Sequence, residues 1–233
     1  MVRLHYDLHI HTCLSPCGDN DMTPGDICAM AALKGLDLIA VTDHNTALNL
    51  PAAAECAALS GLLFVPGIEI TTREEVHLLG YFPDVRSALE AGGIVTDHLP
   101  KTRNRPDYFG RQLVMDAAGT VVKELDSLLI GAADLGLSEA SALVRSFGGV
   151  PVPAHINRGA NGILTNLGFI PPDLGFTAVE ISRGLPCPED VSRGRFVLHS
   201  SDAHYLGDIA EPEESLELES SSIDAFLRLL RGA

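Results

Sequence analysis

Basic residues are scarce in this 233-residue chain. Lysine and arginine together number 16 against 31 acidic residues, which leaves a formal net charge of -15. Proteins that hold long nucleic acid neutralise many phosphates along a basic track, and no such track is visible here. We therefore do not expect long nucleic acid as a partner, whereas an acidic balance suits a site that holds cations.

Cysteine and long apolar runs are also limited. The chain has five cysteines, an odd number without the density of a disulfide scaffold. Its first residues lack the uninterrupted apolar core of a signal peptide, and no apolar run reaches the length of a membrane span. These absences predict a soluble, cytoplasmic protein with reduced thiols and no membrane partner.

Segments of strand length alternate with helical segments in the first seventy residues. Strands are predicted over residues 3–9, 36–42 and 62–65, because each is a short apolar or alternating run. Helices are predicted from Thr23, an N-cap before Pro24, to Lys34, and over residues 50–60. Three such units favour an α/β fold with parallel strands and helices packed outside them.

The remainder of the chain is less regular. Further strands are predicted over residues 76–82, 150–154, 178–182 and 196–200, and further helices over 138–147 and 223–230. Residues of about 96–130 include a stretch without clear periodicity and are predicted to contain an inserted substrate loop. Residues 211–222 are acidic and serine-rich, which predicts a solvated loop. A chain that is 46% hydrophobic can bury one large core, so residues 1–233 are predicted to form a single domain.

Histidine and acidic side chains recur at or near the ends of the predicted strands. They form two pairs with i, i+2 spacing and several single positions: His9 with His11, Asp202 with His204, and His44, Glu69, His77 and His155. In a strand that spacing points two side chains to one face, so each pair can hold one ion. Imidazole with carboxylate suits Zn, Mn or Fe, and the pattern therefore predicts a metalloenzyme.

Five short segments carry all of these residues except His77: DLHIHT at 7–12, TDHN at 42–45, GIE at 67–69, AH at 154–155 and SDAH at 201–204. Together they resemble the PHP family, which is named for polymerase and histidinol phosphatase, over nearly the whole chain. The resemblance implies a distorted (β/α)7 barrel with two or three divalent ions at the C-terminal rim of the strands. It also implies the hydrolysis of phosphate esters.

The resemblance further implies how the ligands divide among the ions. The first ion would be held by His9, His11, Glu69 and Asp202. The second would share Glu69 as a bridge and add His77 and His155. The third would be held by Asp19, His44 and His204.

Asp19 departs from the family pattern. The corresponding ligand usually lies five or six residues beyond the second histidine of the opening motif, whereas Asp19 lies eight beyond His11. Its distance to Thr23 and Pro24 nevertheless matches the family's spacing to the first helix. We therefore prefer Asp19 to Asp21 as the ligand of the third ion.

The catalytic roles follow from the chemistry of paired ions. Two ions a few ångströms apart can share a water, lower its pKa and stabilise the entering and leaving oxygens at phosphorus. Attack by metal-bound hydroxide needs no serine or cysteine nucleophile, so Cys13 and Cys17 are expected to pack in their loop. The expected catalytic residues are Glu69, Asp202 and His204, and either of the last two could relay a proton to the leaving group.

Substrate phosphate also needs positive charge from the protein. Arg158 and Arg183 follow predicted strands on the ligand-bearing rim, and Arg103, with Arg105 as an alternative, lies in a basic loop. These residues are predicted to contact the phosphate of a small phosphorylated metabolite or a short nucleotide.

Two other functions are compatible with part of the pattern. An amidohydrolase-like enzyme would use the same rim but normally needs a carboxylated lysine or an equivalent bridging group. None of the lysines (Lys34, Lys101 and Lys123) lies at a predicted strand end, which favours Glu69 as the bridge. The second alternative is a non-catalytic or regulatory metal-binding PHP domain, and the complete ligand series argues against it.

Overall fold

The computed structural model describes residues 1–232. Its strands are β1 (Val2–Ile10), β2 (Leu38–Val41), β3 (Leu63–Thr71), β4 (His77–Tyr81), β5 (Leu113–Met115), β6 (Val121–Glu124), β7 (Val150–Pro153), β8 (Ala178–Glu180), β9 (Phe196–Leu198) and β10 (Ser215–Leu218). Its helices are α1 (Pro24–Lys34), α2 (Leu50–Leu59), α3 (Val85–Asp97), α4 (Pro106–Phe109), α5 (Leu137–Ser146), α6 (Ile163–Asn166), α7 (Glu189–Ser192) and α8 (Ile223–Arg231).

The main sheet begins with three parallel strands, as the βα alternation predicts. β1 pairs with β2 and β2 with β3 in parallel, while α1 and α2 form the connections. β4 follows β3 after a turn too short for a crossover, so it pairs antiparallel, with Thr71 opposite His77. β7 and β10 also pair antiparallel, giving the order β10-β1-β2-β3-β4-β7.

The sheet curls so that its two ends approach each other. β8 and β9 form a separate parallel pair. Beyond β7, the backbone N–H of Ile156 donates to the carbonyl of Glu180 at 2.9 Å, and beyond β9 a bridge joins Ala203 to Ile10 of β1. The fold is therefore α/β with a curled sheet, and the count of seven βα units in a closed barrel stays a prediction.

Apolar residues pack on both faces of the curled sheet. Along β2, Leu38 and Ala40 belong to the cluster inside the curl, whereas Ile39 and Val41 belong to the cluster beneath the outer helices. A two-residue period sends successive side chains to opposite faces, so a strand buried on both faces has a continuous apolar sequence. The interior cluster also includes Phe226 of α8, whose ring meets that of Tyr81, the last residue of β4.

The structure differs from expectation in two segments. Residues 85–97 form α3, which the sequence pattern did not predict. The segment of about 96–130 contains α4 and the hairpin β5–β6 beyond the end of that helix, and its role as a substrate loop stays a prediction. Residues 215–218 form β10 on the edge of β1 instead of a loop.

All five cysteines are free. None of the helices within residues 1–232 combines the length and the apolar character needed to cross a membrane.

Candidate metal centre

The chain brings its histidines together at the carboxyl ends of the first three strands. His9 lies in β1 and His11 just beyond it, while His44, after β2, forms an isolated bridge with Glu69 of β3. Gly67 permits the close approach of β2 and β3, because a Cβ there would lie 2.6 Å from Cγ2 of Thr42. The strand ends therefore place the three ligand-bearing segments side by side.

Glu69 is the centre of this arrangement. Its carboxylate is fully buried, and imidazole nitrogens of five histidines lie close to it. The distances to its oxygens are 2.7 Å from His77 Nδ1, 3.0 Å from His44 Nδ1, 3.2 Å from His155 Nε2, and 3.3 Å from His9 Nε2 and from His11 Nε2. A carboxylate contacted from so many sides is well placed to bridge two ions.

Asp202 closes the opposite side of the His9 and His11 pair. Its Oδ1 lies 3.2 Å from His9 Nε2 and 3.1 Å from His11 Nε2, while Oδ2 accepts a hydrogen bond from Arg158. Asp202 has a φ of 56° and His155 a φ of 27°, which is the left-handed region that non-glycine residues seldom adopt. Such strain concentrates where the fold must aim a functional side chain.

The ring nitrogens of His9 and His11 fit a cation between them. His9 Nδ1 lies 2.9 Å from the carboxylate of Glu180, and His11 Nδ1 lies 2.9 Å from Ser15 Oγ. In the neutral rings, which are the forms that bind metal, these contacts place the proton on Nδ1, so both Nε2 atoms present lone pairs to each other at 3.2 Å. Two lone pairs repel at that distance, whereas metal–nitrogen bonds of about 2.0–2.1 Å give ligand separations of this size.

A second pair of atoms also indicates a site for a cation. His44 Nδ1 and Glu69 Oε2 are buried and lie 3.0 Å apart, yet neither has a hydrogen-bond partner among the described residues. Buried polar atoms are nearly always paired, so this pair points to an ion. Histidine and carboxylate donors together fit divalent first-row cations.

The charges of the cluster are strongly coupled. Burial lowers the pKa of the histidines, but adjacent carboxylates outweigh it and raise the pKa of His11 and His44 to about 9 and that of His9 well above its usual value. Burial acts in the opposite direction on Glu69 and Asp202, yet the imidazoles hold the pKa of both carboxyls well below its usual range. The negative charge of the cluster therefore favours positive ions.

The structure contains three groups of candidate ligands, and within each group the donor atoms all lie within 4.8 Å of one another. They are His9, His11, Glu69 and Asp202; His44, Glu69 and His77; and His11, His44 and His204. The first group is the predicted set for the first ion. In the second, His155 Nε2 lies 3.2 Å from His77 Nδ1, next to the shared carboxylate. His44 belongs to both remaining groups, so the division between the second and third ions stays a prediction.

The structure does not bring Asp19 into any of these groups. The backbone N–H of Asp19 donates to the carbonyl of His204 at 2.9 Å, but its carboxylate accepts a hydrogen bond from the backbone N–H of Asp21. Asp21 itself is exposed. The nearby thiol of Cys17 is among the groups that raise the pKa of His44.

The predicted phosphate-binding arginines lie in different places. Arg158 and Arg183 line one cavity of about 330 Å³ beside Asp202, where Arg158 pairs with that aspartate and Arg183 pairs with Glu213 and Glu214. Arg103 lies in the loop between α3 and α4, where it is exposed and its backbone bridges to Ser127. The structure thus groups two of the three arginines.

Two buried carboxylates that are outside the ligand groups support the ligands, and Glu180 is the one that the sequence did not predict. Glu180 lies against His9, and Asp43 accepts hydrogen bonds from the backbone and hydroxyl of Thr12 and from Ser15 Oγ. Ser15 in turn holds His11. Glu180 is the last residue of β8, so the strand-end argument applied to the other ligands could have found it. Asp43 precedes His44, and its contacts with Thr12 and Ser15 form only when the loop after β1 folds against the end of β2.

Comparison with known proteins places this site in a family. A sequence model described as the PHP domain matches residues 7–132, which is more than half of the chain. The chain belongs to the PHP domain family. This confirms the resemblance drawn from the five motif segments.

Members with curated names are similar to part of the chain. The 5′-3′ exoribonuclease Rnm of Salmonella typhimurium is 38% identical over 85 residues, which are 34% of this chain and 28% of that protein. A 3′,5′-nucleoside bisphosphate phosphatase of Chromobacterium violaceum is 37% identical over 90 residues, covering 37% of this chain and 30% of that protein. The aligned part therefore spans less than a third of each relative.

A solved structure supports the fold over the whole chain. The lesion-specific endonuclease from Pyrococcus furiosus superposes with a TM-score of 0.71 and 18% sequence identity, covering 100% of this chain and 56% of that one. At that identity the likeness concerns the fold alone. The curled α/β sheet of this PHP domain is thus shared with a larger protein.

Proposed function

We propose that this chain is a metal-dependent phosphoesterase that hydrolyses a small phosphorylated metabolite or a short nucleotide. The observation that carries the proposal is the buried Glu69 carboxylate, on which five imidazoles converge. Relatives named as an exoribonuclease and a bisphosphate phosphatase both cleave phosphate esters, which supports the same reaction class here.

The ligand groups give the residues their roles in this proposal. His9, His11, Glu69 and Asp202 would hold one ion, Glu69 with His77 and His155 would hold a second, and His44 and His204, with Asp19, would hold a third. Two or three ions of Mn, Fe or Zn fit this set. When bound, the ions supply Lewis-acid charge to the phosphoryl oxygens and to the attacking water.

The remaining side chains orient the substrate and move protons. Arg158 engages Oδ2 of Asp202, which leaves Oδ1 free to face the ligand group. His204 Nδ1 donates to the carbonyl of Asp202 at 2.7 Å, so its Nε2 carries a lone pair. His204 is thereby suited to be a ligand or to transfer a proton at the leaving oxygen, and Arg183 and Arg103 are proposed contacts for substrate phosphate.

Glu69→Gln tests the proposal. We expect wild-type protein loaded with Mn, Fe or Zn to hydrolyse at least one of p-nitrophenyl phosphate, bis-p-nitrophenyl phosphate, nucleoside phosphates and short oligoribonucleotides. The variant should lose bound metal. Its activity should fall by more than the roughly 10- to 100-fold loss that is typical when a residue that only supports a ligand is replaced.

The matched control is Glu90→Gln, which removes the charge of an exposed glutamate paired with Arg86 on α3. It should retain wild-type metal content and activity. Failure of the wild-type protein to hydrolyse any ester of the panel at every metal loading would refute the proposal.

A further inference from the structure

A pocket that the proposed function does not use adjoins the metal centre. The Tyr108 pocket has a volume of about 330 Å³ and is lined by Pro16, Cys17, Tyr108, Phe109, Gly110 and Ile130. Pro16 connects it to the metal centre, because the hydroxyl of the preceding Ser15 accepts a hydrogen bond from the backbone N–H of His44 at 3.2 Å. Ser15, the neighbour of Pro16, contacts His11. One loop therefore forms the wall of both sites.

The pocket presents an aromatic ring to solvent. Tyr108 is 74% exposed, although the chain contains only four tyrosines and no tryptophan. Phe109 lies edge-on to it, with ring centroids 4.7 Å apart. An exposed ring beside a pocket offers a flat apolar face on which another planar ring can stack.

Backbone contacts hold this ring in place. The carbonyl of Arg105 accepts hydrogen bonds from the N–H groups of Tyr108 and Phe109, and Asn104 Nδ2 donates to the carbonyl of Gly110 at 3.0 Å. Gly110 has a φ of 81°, and a Cβ there would lie 2.9 Å from the carbonyl oxygen of Pro16. Since the turn is fixed before a ligand arrives, little ordering is left to oppose binding.

One positive charge lies beside the same ring. The guanidinium of Arg105 lies 5.6 Å from the centroid of the Tyr108 ring. Within residues 1–232, no ion pair joins Lys101, Arg103 or Arg105 to a carboxylate, whereas Arg158 and Arg183 both have acidic partners. Among the basic residues considered for substrate phosphate, Arg103 and Arg105, which have no acidic partner in the described part of the chain, therefore lie in the loop that leads to the aromatic pair.

We infer that the Tyr108 pocket binds the base of a nucleotide, free or at the end of a short oligonucleotide, whose phosphate reaches the metal centre. An aromatic face with a guanidinium beside it is the combination that recognises a base joined to a phosphate. This inference rests on the proposed function and narrows its substrate class to nucleotides.

Stacking can be measured with 2-aminopurine riboside 5′-monophosphate, whose fluorescence falls when its base stacks. Metal-loaded wild-type protein should quench it, and hydrolysis of the phosphate would leave the fluorescent base intact. Tyr108→Ala should weaken the binding roughly 10-fold, the loss expected when one base–aromatic stack is removed. Tyr108→Phe should restore it, since stacking needs the ring and not the hydroxyl.

Phe169→Ala is the matched control, because Phe169 is another exposed aromatic residue, 58% accessible, outside the pocket. It should bind the probe as the wild type does. Ribose 5-phosphate, which has no base, should bind equally well to wild-type and Tyr108→Ala protein in competition with the probe.

The outcomes separate this inference from the proposed function. Hydrolysis of phosphate esters without quenching, or equal quenching by wild-type and Tyr108→Ala protein, would overturn the base pocket and leave the phosphoesterase in place. A Tyr108→Phe variant as weak as Tyr108→Ala would also overturn it. Tyr108-dependent quenching by a protein that hydrolyses nothing would support the pocket and refute the proposed reaction.

Discussion

Glu180 connects two ligand segments that come from different parts of the chain. Its carboxylate lies 2.9 Å from His9 Nδ1 and accepts a hydrogen bond from the backbone N–H of His155 at 2.9 Å. The first contact selects the tautomer in which His9 Nε2 faces the other ligands. The second holds a residue whose φ is 27°. One buried carboxylate thus orients donors for both of the proposed ions around Glu69.

Replacement of Glu180 by glutamine should weaken metal binding. The amide keeps the shape of the side chain but removes the negative charge that holds the His9 ring, and partners of this kind are typically worth 10- to 100-fold in affinity. We expect a loss of that order, measured by competition of Co²⁺ or Zn²⁺ with a chelator of known affinity.

Glu124→Gln serves as the control for this substitution, because Glu124 is exposed and pairs with Arg111 at the surface. Its metal affinity should equal that of the wild type. Equal affinities for Glu180→Gln and Glu124→Gln would show that Glu180 has no positioning role.

The C-terminal helix α8 is the element that completes the interior of the curled sheet. Phe226 is fully buried, and its ring meets that of Tyr81 edge-on with centroids 5.5 Å apart. The hydroxyl of Tyr81 donates to the carbonyl of Leu8 in β1 at 2.9 Å. Packing of α8 is therefore joined through one aromatic pair to the strand that carries His9.

Phe226→Ala should destabilise the fold strongly. Truncation of a buried phenylalanine removes its transfer free energy and leaves a cavity, which together cost about 3–5 kcal/mol. Chemical denaturation of the metal-free protein would measure this loss. The exposed Leu33 of α1, which is 81% accessible, provides the control, since Leu33→Ala should change the free energy of unfolding by less than about 0.5 kcal/mol. Similar losses in both variants would contradict the role assigned to α8.

At the scale of the whole molecule, sequence predicts what local patterns encode. The N-cap Thr23 and the following proline begin α1 as expected, and Gly35 ends it with a φ of 82°. Apolar strands followed by histidines place the ligands at one edge, because parallel strands align their carboxyl ends. These are consequences of spacing and capping, which need no knowledge of distant partners.

The elements that escaped prediction depend on such partners. α3 contains adjacent glycines and lacks a strong helical composition, so it is stabilised by packing of residues such as Ala91 and Val95 on the core. β10 lies in an acidic segment, and only pairing with β1 makes it a strand, with Leu216 opposite Leu4. Glu180 likewise acquires its role only when β8 closes against β7. Tertiary contacts therefore decide these positions.

The acidity of the whole ligand cluster predicts how stability depends on pH. In metal-free protein the pKa of His11 and of His44 is about 9, above the value near 6.5 of the unfolded chain. A raised folded-state pKa gives stabilisation that is fully present below pH 6.5 and is lost as the pH rises through 9. Burial lowers the pKa of His77 and His204 to about 4. These two histidines therefore affect stability only below pH 6.5, where the unfolded chain takes up their protons and the folded protein does not.

The melting temperature of metal-free protein should therefore fall between pH 6.5 and pH 9, by an amount that corresponds to a few kcal/mol. Metal-loaded protein should behave in the opposite way, because ions bind deprotonated ligands and their stabilisation grows as the pH rises. Thermal unfolding with and without chelator at several pH values measures both trends. His98→Gln, a substitution of an exposed histidine, should leave them unchanged. A difference between the two forms that stays constant with pH would mean that protons and metal ions do not compete for these histidines.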